Sequence, residues 1–453
     1  MRTKEMKRQS EEVVNHSSKQ IDLIYKLEDR PPLGEAIIAA IQHLAAIFIG
    51  IITPTLVLSG PLELDVETTT YLVSMALFVS GIATFIQAKK IGPIGSGLLS
   101  IQGTSFAFLG PIIAAGIVGG KGEAGLALIF GLCLAGSFIE MILSRFIHLA
   151  QKIITPLVTG TVVTLIGLSL IQVGINDIGG GVGAENFGSL QNIALAALVL
   201  ITVIVLNRSR NQYLRMGAIL IAMAVGYIVS IILGIVDFSS LSNLPVVNVP
   251  IPFRYGLSFD IFTFIPIALI YLITMIESTG DLTATSLVSG EPIEGDLYME
   301  RIKGGILGDG VNSFIAALFN TFPNTTFSQN NGVIQMTGVG SRYVGYFVAG
   351  MLVLLGLFPI VGGVVNVIPR PVLGGATIVM FGTIAAAGIK IISTATIDRR
   401  AMMILALSFG LGLGVHSVPE ILNNLPDMIR PIFGPITTGG LTALVANLIL
   451  PEE

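Results

Sequence analysis

The chain has 453 residues, of which 53% are hydrophobic and only 11% are charged, and its mean hydropathy is +0.85. Soluble domains carry about 25% charged residues, so this composition excludes a soluble globular protein and indicates that lipid is the surrounding solvent. The formal net charge of −4 says little alone, because in a membrane protein the side on which each charge lies matters more.

The N-terminal segment, residues 1–30, is polar and charged and has no apolar stretch typical of a signal peptide. We predict a cytoplasmic tail there and no cleaved signal. Apolar runs of about 20 residues, long enough to cross a hydrocarbon core of ~30 Å, then recur along the whole chain. We count fourteen predicted spans in the sequence, so the expected fold is an all-α polytopic membrane protein.

The positive charges support this topology. With the N-terminus inside, all but four of the 24 Lys and Arg residues fall on the cytoplasmic side, and the exceptions are Lys121, Arg254, Arg370 and Arg430. Cytoplasmic loops carry such an excess. An even number of spans then places both termini on the cytoplasmic side of the cytoplasmic membrane. Because these charges are loop residues, we expect no nucleic-acid partner.

A weak internal repeat divides the chain near its middle. "TPLVTGTVVTLIG" at 155–167 is similar to "RPVLGGATIVMFG" at 370–382, which indicates either two related halves or a chance likeness of glycine-rich apolar segments. Seven spans is an odd number, so two repeats would insert with opposite orientation, as in many secondary transporters. We assign spans 1–7 to residues 31–236 and spans 8–14 to residues 237–453.

Two of the predicted spans are interrupted. "TTFSQNNGVIQMTG" at 325–338 places Gln329, Asn330 and Asn331 inside span 10, where every backbone polar group needs a partner. We predict a short extended piece and a half-helix from about Asn331, and the same in span 3, where "IQGTSFAFLGP" would begin its half-helix at Pro111. Two half-helix N-termini facing one point would form a binding site; the alternative is two kinks that only help packing.

Acidic residues lie inside the neighbouring spans. "MIESTGDLTATS" places Glu277 and Asp281 four residues apart on one face of span 8. Ionisable groups inside a span are costly and usually functional, and two close carboxylates disfavour joint ionisation, which suits proton coupling. The alternative for Asp281 is a polar helix end at the cytoplasmic face. Asp309 in span 9 is either a neighbour of Glu277 or a structural carboxylate bonded to backbone N–H groups.

Two other polar residues lie in predicted spans. His43, deep in span 1, is a substrate contact, a member of a proton network or a structural histidine, and Ser105 in span 3 is a pocket wall or a local cap. The single cysteine, Cys133, excludes a disulfide framework and is assigned to packing. No cluster fits a zinc site and no phosphate-binding loop indicates ATP, so we expect no metal and no cofactor besides a coupling ion. A sodium site of carbonyls and acids stays open.

At "FSQNNGVIQMTG" the chain resembles the signature of the nucleobase–ascorbate transporter family, also called nucleobase:cation symporter-2. "ESTGDLTAT", "RIKGGILGDG" and "IYKLEDRPPL" extend the resemblance over nearly the whole chain, which is most similar to the bacterial xanthine and uric acid permeases within that family. The resemblance implies a 7+7 inverted repeat and homodimers. It also implies a core domain from spans 1–4 and 8–11 and a gate domain from spans 5–7 and 12–14.

The resemblance further implies roles for individual residues. Glu277 would hold an oxopurine through its carboxylate, Gln329 would bind it through its amide, and backbone at Phe106 and Ser328 would complete the contacts. Asn330 would orient the signature, and roles in activity or proton coupling are implied for three more residues, namely Asp309, Asp281 and His43. Ser105 stands where some xanthine-selective relatives carry Asn, so uric acid stays open as a substrate.

We therefore expect a proton-coupled importer of xanthine, with uric acid as a further substrate, and not an enzyme, because no nucleophile–base pair is present. The alternatives are a uric acid-selective carrier or a uracil or other pyrimidine carrier of the same fold, and sodium in place of the proton. An anion channel or exchanger on a similar fold is a different class, against which the acids Glu277 and Asp309 argue.

Overall fold

The computed structural model describes residues 23–147, 155–241, 245–426 and 430–451, so most of the predicted N-terminal tail lies outside the described residues. In the first half the elements are α1 (Leu33–Ser59), α2 (Val66–Lys89), β1 (Gln102–Thr104), α3 (Leu109–Val118), α4 (Gly122–Leu143), α5 (Pro156–Gly179), α6 (Leu190–Asn207), α7 (Gln212–Met216) and α8 (Ala218–Ile232). In the second half they are α9 (Ile261–Val288), α10 (Asp296–Leu318), β2 (Asn324–Thr326), α11 (Gln329–Thr337), α12 (Arg342–Leu357), α13 (Pro359–Asn366), α14 (Arg370–Ile392), α15 (Arg399–Ser417) and α16 (Pro435–Ile449).

Within the described residues, eight helices are long and apolar enough to cross a membrane, or up to nine if α12 and α13, bent by 77°, form one span. The protein is therefore a multi-pass membrane protein of mostly helical fold. Each predicted span coincides with a helix, but α3, α8, α11 and α16 are too short to cross alone. The count of fourteen spans stays a prediction.

The two extended segments predicted in spans 3 and 10 are β1 and β2, which pair antiparallel with Gln102 opposite Thr326 and Thr104 opposite Asn324. The pairing continues beyond the strands, since the Phe327 N–H donates to the Ile101 carbonyl at 2.9 Å and the Ser105 N–H to the Pro323 carbonyl at 2.8 Å. Each strand thus supplies the backbone partners that the other needs away from water.

The predicted half-helices begin earlier than the sequence indicated. In span 10 the helix α11 begins at Gln329 instead of Asn331. In span 3 a single 3₁₀ turn, Phe106–Phe108, leads into α3, so that Pro111 is the third residue of α3 and not the start of the half-helix. Both helical segments begin within three residues of their strand, which places their first N–H groups beside the strand pair.

Helices α5 and α14 pack against each other through glycines in an antiparallel arrangement. A Cβ atom added to Gly160 would lie 2.7 Å from the Gly388 carbonyl oxygen, and one added to Gly167 would lie 2.7 Å from the Phe381 carbonyl oxygen. Such distances mean that the two backbones touch with no side chain between them, and small residues allow this close approach in membrane helices. The pair forms a rigid wall beside the strand pair.

Candidate functional site

A small cavity lies where β2, the start of α11 and the middle of α9 meet the wall formed by α5 and α14. The residues that line it are Phe106, Val163, Ile166, Glu277, Asp281, Thr325, Thr326, Phe327, Ser328, Gln329 and Ile384. Five of the nine candidate site residues are therefore brought together here, namely Phe106, Glu277, Asp281, Ser328 and Gln329. The other four lie behind the cavity wall.

Glu277 and Asp281 reach the cavity from one face of α9, as their spacing predicted. The Glu277 Oε2 atom has no hydrogen-bond partner among the described residues. Tyr271, one and a half turns earlier, fixes the helix because its hydroxyl donates to the Cys133 carbonyl at 2.8 Å. A buried carboxylate oxygen with no protein partner is free to accept a hydrogen bond from a ligand or to carry a proton.

Gln329 is the first residue of α11 and lines the cavity beside Ser328. The first N–H groups of a helix have no acceptor inside the helix. Here those of Asn330 and Asn331 donate to the Phe327 and Ser328 carbonyls at 3.4 and 3.0 Å, which leaves the N–H groups of Ser328 and Gln329 without an acceptor among the described residues. The position of α11 is fixed by Thr285 of α9, whose hydroxyl donates to the Asn331 side-chain oxygen at 2.8 Å. The start of α11 is therefore held against the helix that carries Glu277.

Phe106 lines the cavity from the first half of the chain, whereas Glu277 and Gln329 belong to the second half. The Phe106 ring packs edge-on against Phe381 of α14, with ring centroids 5.5 Å apart. The same side chain also lines a larger, mainly apolar cavity that extends along α3 towards Arg430 and Phe433. Phe106 thus lies between the small polar cavity and this larger one.

Asp309 of α10 is completely buried but does not line the cavity. It accepts hydrogen bonds from Gln87 Nε2 at 2.6 Å, from Ser278 Oγ at 2.5 Å and from Thr326 Oγ1 at 3.5 Å. These donors are side chains and not the backbone N–H groups that the structural alternative assumed. Asp309 therefore ties α2, α9 and β2 together directly behind Glu277.

His43, Asn330 and Ser105 are also buried behind the cavity. His43 lies beside the Asn330 side chain, whose Nδ2 atom donates to the Leu99 carbonyl, although neither ring nitrogen of His43 has a hydrogen-bond partner among the described residues. The Ser105 hydroxyl is likewise without a partner there. Ser105 does not line the cavity, and its hydroxyl does not cap the 3₁₀ turn that follows it.

Several side chains around the site are not among the residues predicted from the sequence. Val163, Ile166 and Ile384 are apolar residues in apolar spans, so nothing in the sequence distinguishes them from packing residues. Glu140 of α4 did carry a signal, since it is an acid inside a span: it is 1% exposed, its Oε1 atom has no partner among the described residues, and it interacts electrostatically with Asp309 and Glu277.

The chemistry of the cavity suits a neutral, flat and polar ligand. No group of three or more His, Cys, Asp or Glu side chains in the described part of the chain is arranged to hold a metal ion. The cavity lining also contains no Lys or Arg, which an anion would favour. A carboxylate, an amide and helix N–H groups provide acceptors and donors for a ligand with both kinds of group along its edge.

The chain is similar over nearly its whole length to three bacterial permeases. The chain is 51% identical over 444 residues to xanthine permease XanP of Escherichia coli, with 95% of each chain covered, and 49% identical over 446 residues to xanthine permease XanQ of the same species, with 97% of this chain and 95% of that protein covered. It is 35% identical over 417 residues to uric acid permease PucJ of Bacillus subtilis, with 90% of this chain and 91% of that protein covered.

Solved structures show the same fold at low sequence identity. The transmembrane domain of the cyanobacterial bicarbonate transporter BicA covers 90% of this chain with a TM-score of 0.55 and 15% identity, and 99% of that domain is matched. Murine Slc26a9, an anion transporter, covers 93% of this chain with a TM-score of 0.61 and 11% identity, and 69% of that chain is matched.

The family model Xan_ur_permease, described as the permease family, matches residues 34–421. This match spans most of the chain and includes every residue of the cavity. A permease is a transporter, so the protein is not an enzyme. The chain thus belongs to the permease family whose members are the nucleobase–ascorbate transporters.

Proposed function

We propose that the protein is a proton-coupled importer of xanthine in the cytoplasmic membrane. The observation that carries this proposal is the cavity in which the Glu277 carboxylate and the Gln329 amide face one space. Xanthine is flat and carries alternating N–H and C=O groups along its edge. A planar amide offers one donor and one acceptor to such an edge, and a carboxylate accepts from ring N–H groups.

Individual roles follow from this placement. Glu277 and Gln329 bind the purine edge, and Phe106 and Ser328 contribute backbone contacts. Asp309, His43 and Asn330 support these groups from behind. The names of the relatives at 49–51% identity favour xanthine, whereas uric acid is favoured only by the name of a relative at 35% identity. A uracil carrier remains the runner-up within transport.

Coupling to protons is supported by the number of buried carboxylates. Glu140 and Asp281 each interact electrostatically with both Glu277 and Asp309 inside the protein, where few charges can be stabilised at once. Some of these groups must therefore hold a proton, and binding of substrate to Glu277 changes which group does so. Sodium is the alternative coupling ion.

The finer architecture is part of the same proposal. We assign fourteen spans as two inverted repeats, residues 31–236 and 237–453, with core and gate domains as the resemblance implies. The pairing of β1 with β2 and the antiparallel packing of α5 with α14 support two halves of opposite orientation. In that division the core supplies every polar residue of the cavity, and the gate supplies Val163, Ile166 and Ile384.

We further propose that the protein is a homodimer with both termini in the cytoplasm. A green fluorescent protein fused after residue 453 should then fluoresce, and alkaline phosphatase fused at the same point should be inactive. The opposite pattern would contradict the orientation. Cross-linking in native membranes should yield a band at twice the monomer mass, and a monomer at every cross-linker concentration would contradict the dimer.

Uptake of labelled xanthine into bacteria that lack their own purine carriers tests the function. We expect accumulation above the external concentration, its loss with a protonophore, and no dependence on sodium. Unlabelled xanthine should compete strongly and uracil weakly. Accumulation that requires sodium would identify sodium as the coupling ion in place of the proton. Competition by uracil alone would favour the pyrimidine carrier. Uptake of chloride or bicarbonate in place of purines would favour an anion carrier.

A further inference from the structure

The two walls of the cavity have different chemistry. The wall from α9 and the segment 325–329 presents carboxylates, an amide and hydroxyl groups, whereas the opposite wall from α5 and α14 presents only Val163, Ile166 and Ile384. The first wall can therefore distinguish ligands by their pattern of donors and acceptors. The second wall has no polar side-chain atom. It can distinguish ligands only by their shape and by whether a polar group of the ligand is left there without a hydrogen-bond partner.

The aliphatic wall cannot easily move to adapt. Gly160 and Gly388 bring the backbones of α5 and α14 into contact, since a Cβ atom on Gly388 would lie 2.7 Å from the Gly160 carbonyl oxygen. Val163 comes three residues after Gly160, and Ile384 comes four residues before Gly388. Their side chains are 4% and 9% exposed. Because the interior is closely packed, a substituent that reaches this wall meets a fixed surface.

Ser105 does not line the cavity in this structure. It is buried, and its N–H is bonded to the Pro323 carbonyl at 2.8 Å. The residues that face the ligand space opposite the polar wall are Val163, Ile166 and Ile384.

The orientation of a bound purine follows from the polar wall and the aliphatic wall of the cavity. All polar side chains of the cavity lie on one wall, so the edge richest in N–H and C=O groups faces Glu277 and Gln329, and the opposite edge faces the aliphatic wall. In a purine dione that opposite edge contains carbon 8. Xanthine has a C–H group at this position, and uric acid has a C=O group.

We propose that Val163, Ile166 and Ile384 are specificity-determining residues, which admit a C–H group at purine position 8 and reject a carbonyl. This inference rests on the proposed function. A carbonyl buried against these side chains loses its bonds to water and gains none, whereas a C–H group has no such bonds to lose. The ring nitrogens 7 and 9 flank position 8 in both xanthine and uric acid, so the group at position 8 is the difference between the two ligands that this wall meets. Since one unpaired buried polar group weakens binding by about tenfold or more, uric acid should bind at least about tenfold more weakly than xanthine.

The test compares variants that add a hydroxyl to this wall. Val163→Thr keeps the shape of the side chain, and its hydroxyl can donate to a carbonyl at position 8. Threonine is tolerated in α5, because the hydroxyls of Thr161 and Thr164 already bond to carbonyls of the same helix at 2.7 Å. The new hydroxyl can make the same bond in the empty cavity and rotate to donate to a ligand carbonyl instead. Ile166→Thr is a second variant that adds a hydroxyl, and it also removes one methyl group. Val162→Thr, buried but away from the cavity, is the matched control.

The measurement is inhibition of labelled xanthine uptake by unlabelled xanthine, uric acid and 8-methylxanthine. In Val163→Thr or Ile166→Thr, the ratio of the uric acid to the xanthine inhibition constant should fall by at least about fivefold, and Val162→Thr should leave it unchanged. Ile384→Val, which removes one methyl group, should instead improve inhibition by 8-methylxanthine. Membrane levels are measured by immunoblot for each variant.

Four outcomes would overturn the inference while leaving the proposed function intact. The wild type could take up xanthine and be inhibited equally by uric acid. The threonine variants could reach the membrane and take up xanthine with an unchanged ratio. Val162→Thr could change the ratio as much as they do. If the threonine variants fail to reach the membrane, an unchanged response of Ile384→Val to 8-methylxanthine overturns it. Absence of saturable xanthine uptake by the wild type would overturn the proposed function itself.

Discussion

Ser278 donates a 2.5 Å hydrogen bond to Asp309, and the next residue back along the chain, Glu277, faces the cavity. The buried network and the candidate binding group therefore belong to adjacent residues of α9. Because Gln87 also bonds to Asp309, the network holds α9 against α2 and α10 at the level of the cavity. Asp309 is placed to position Glu277 and not to touch the substrate.

The first prediction concerns Glu277 itself. Glu277→Gln keeps the size of the side chain but removes its charge and its ability to exchange a proton, so accumulation of xanthine should fall to the level of cells without the carrier. Glu294→Gln, at an exposed position, should transport normally. Wild-type accumulation by Glu277→Gln would exclude Glu277 from substrate binding and coupling.

The second prediction concerns the network behind it. Ser278→Ala removes one donor to Asp309, which should lower the free energy of unfolding by about 1–3 kcal/mol and raise the KM for xanthine several-fold by loosening α9. Thermal unfolding in detergent and uptake kinetics measure the two effects. Ser393→Ala, which removes an exposed hydroxyl bonded within its own helix, is the control. If Ser278→Ala changes neither quantity, the network does not position Glu277.

The third prediction concerns movement between the proposed core domain, which contains α9, and the proposed gate domain, which contains α5. A Cβ atom on Gly280 of α9 would lie 3.8 Å from the Cβ of Thr159 on α5, which is the usual separation in a disulfide. The double variant Thr159→Cys/Gly280→Cys, made with Cys133→Ala, should lose xanthine uptake on mild oxidation and regain it on reduction. The single cysteine variants should not respond. Full cross-linking with undiminished uptake would contradict relative movement of α5 and α9.

The fourth prediction concerns the close packing of Phe327, the residue before Ser328. A Cβ atom on Gly103 would lie between 2.5 and 2.9 Å from three atoms of this ring, so Gly103→Ala must displace the ring and the start of α11 with it. Overpacking of this kind costs about 1–3 kcal/mol, and xanthine affinity should fall too. Gly350→Ala, where no atom lies within 4 Å, should behave as the wild type; equal behaviour of the two variants would contradict this account.

The broken spans could be predicted from the sequence because runs of amides and glycines are poorly suited to an unbroken helix in lipid. The half-helix starts were predicted at Asn331 and Pro111, whereas α11 begins at Gln329 and a 3₁₀ turn begins at Phe106. The strand pair accounts for the difference. Once β1 and β2 satisfy each other's backbone groups, a helix can begin directly after each strand, and a proline is accommodated within the first turn.

The identity of the cavity walls was harder to predict. Acids and amides inside spans are recognisable one by one, so Glu277, Asp281 and Gln329 were found, but which of them face the same space depends on helix rotation. Asp309 of α10 faces away from the cavity for this reason, and Ser105 lies in extended backbone between β1 and the 3₁₀ turn, where a helical period predicts nothing. Val163, Ile166 and Ile384 come from helices that lie far from α9 or α11 in the sequence, and only tertiary packing brings them there.

The most direct test of the central claim is equilibrium binding of labelled xanthine to the purified protein, with two variants of the same helix beside the wild type. Gln329→Leu removes the amide that faces the cavity, and Gln335→Leu removes an exposed amide later in α11. We predict saturable binding by the wild type and by Gln335→Leu, and a loss of at least about a hundredfold in Gln329→Leu, since two hydrogen bonds to the purine are lost. Wild-type affinity in a folded Gln329→Leu variant would contradict the account.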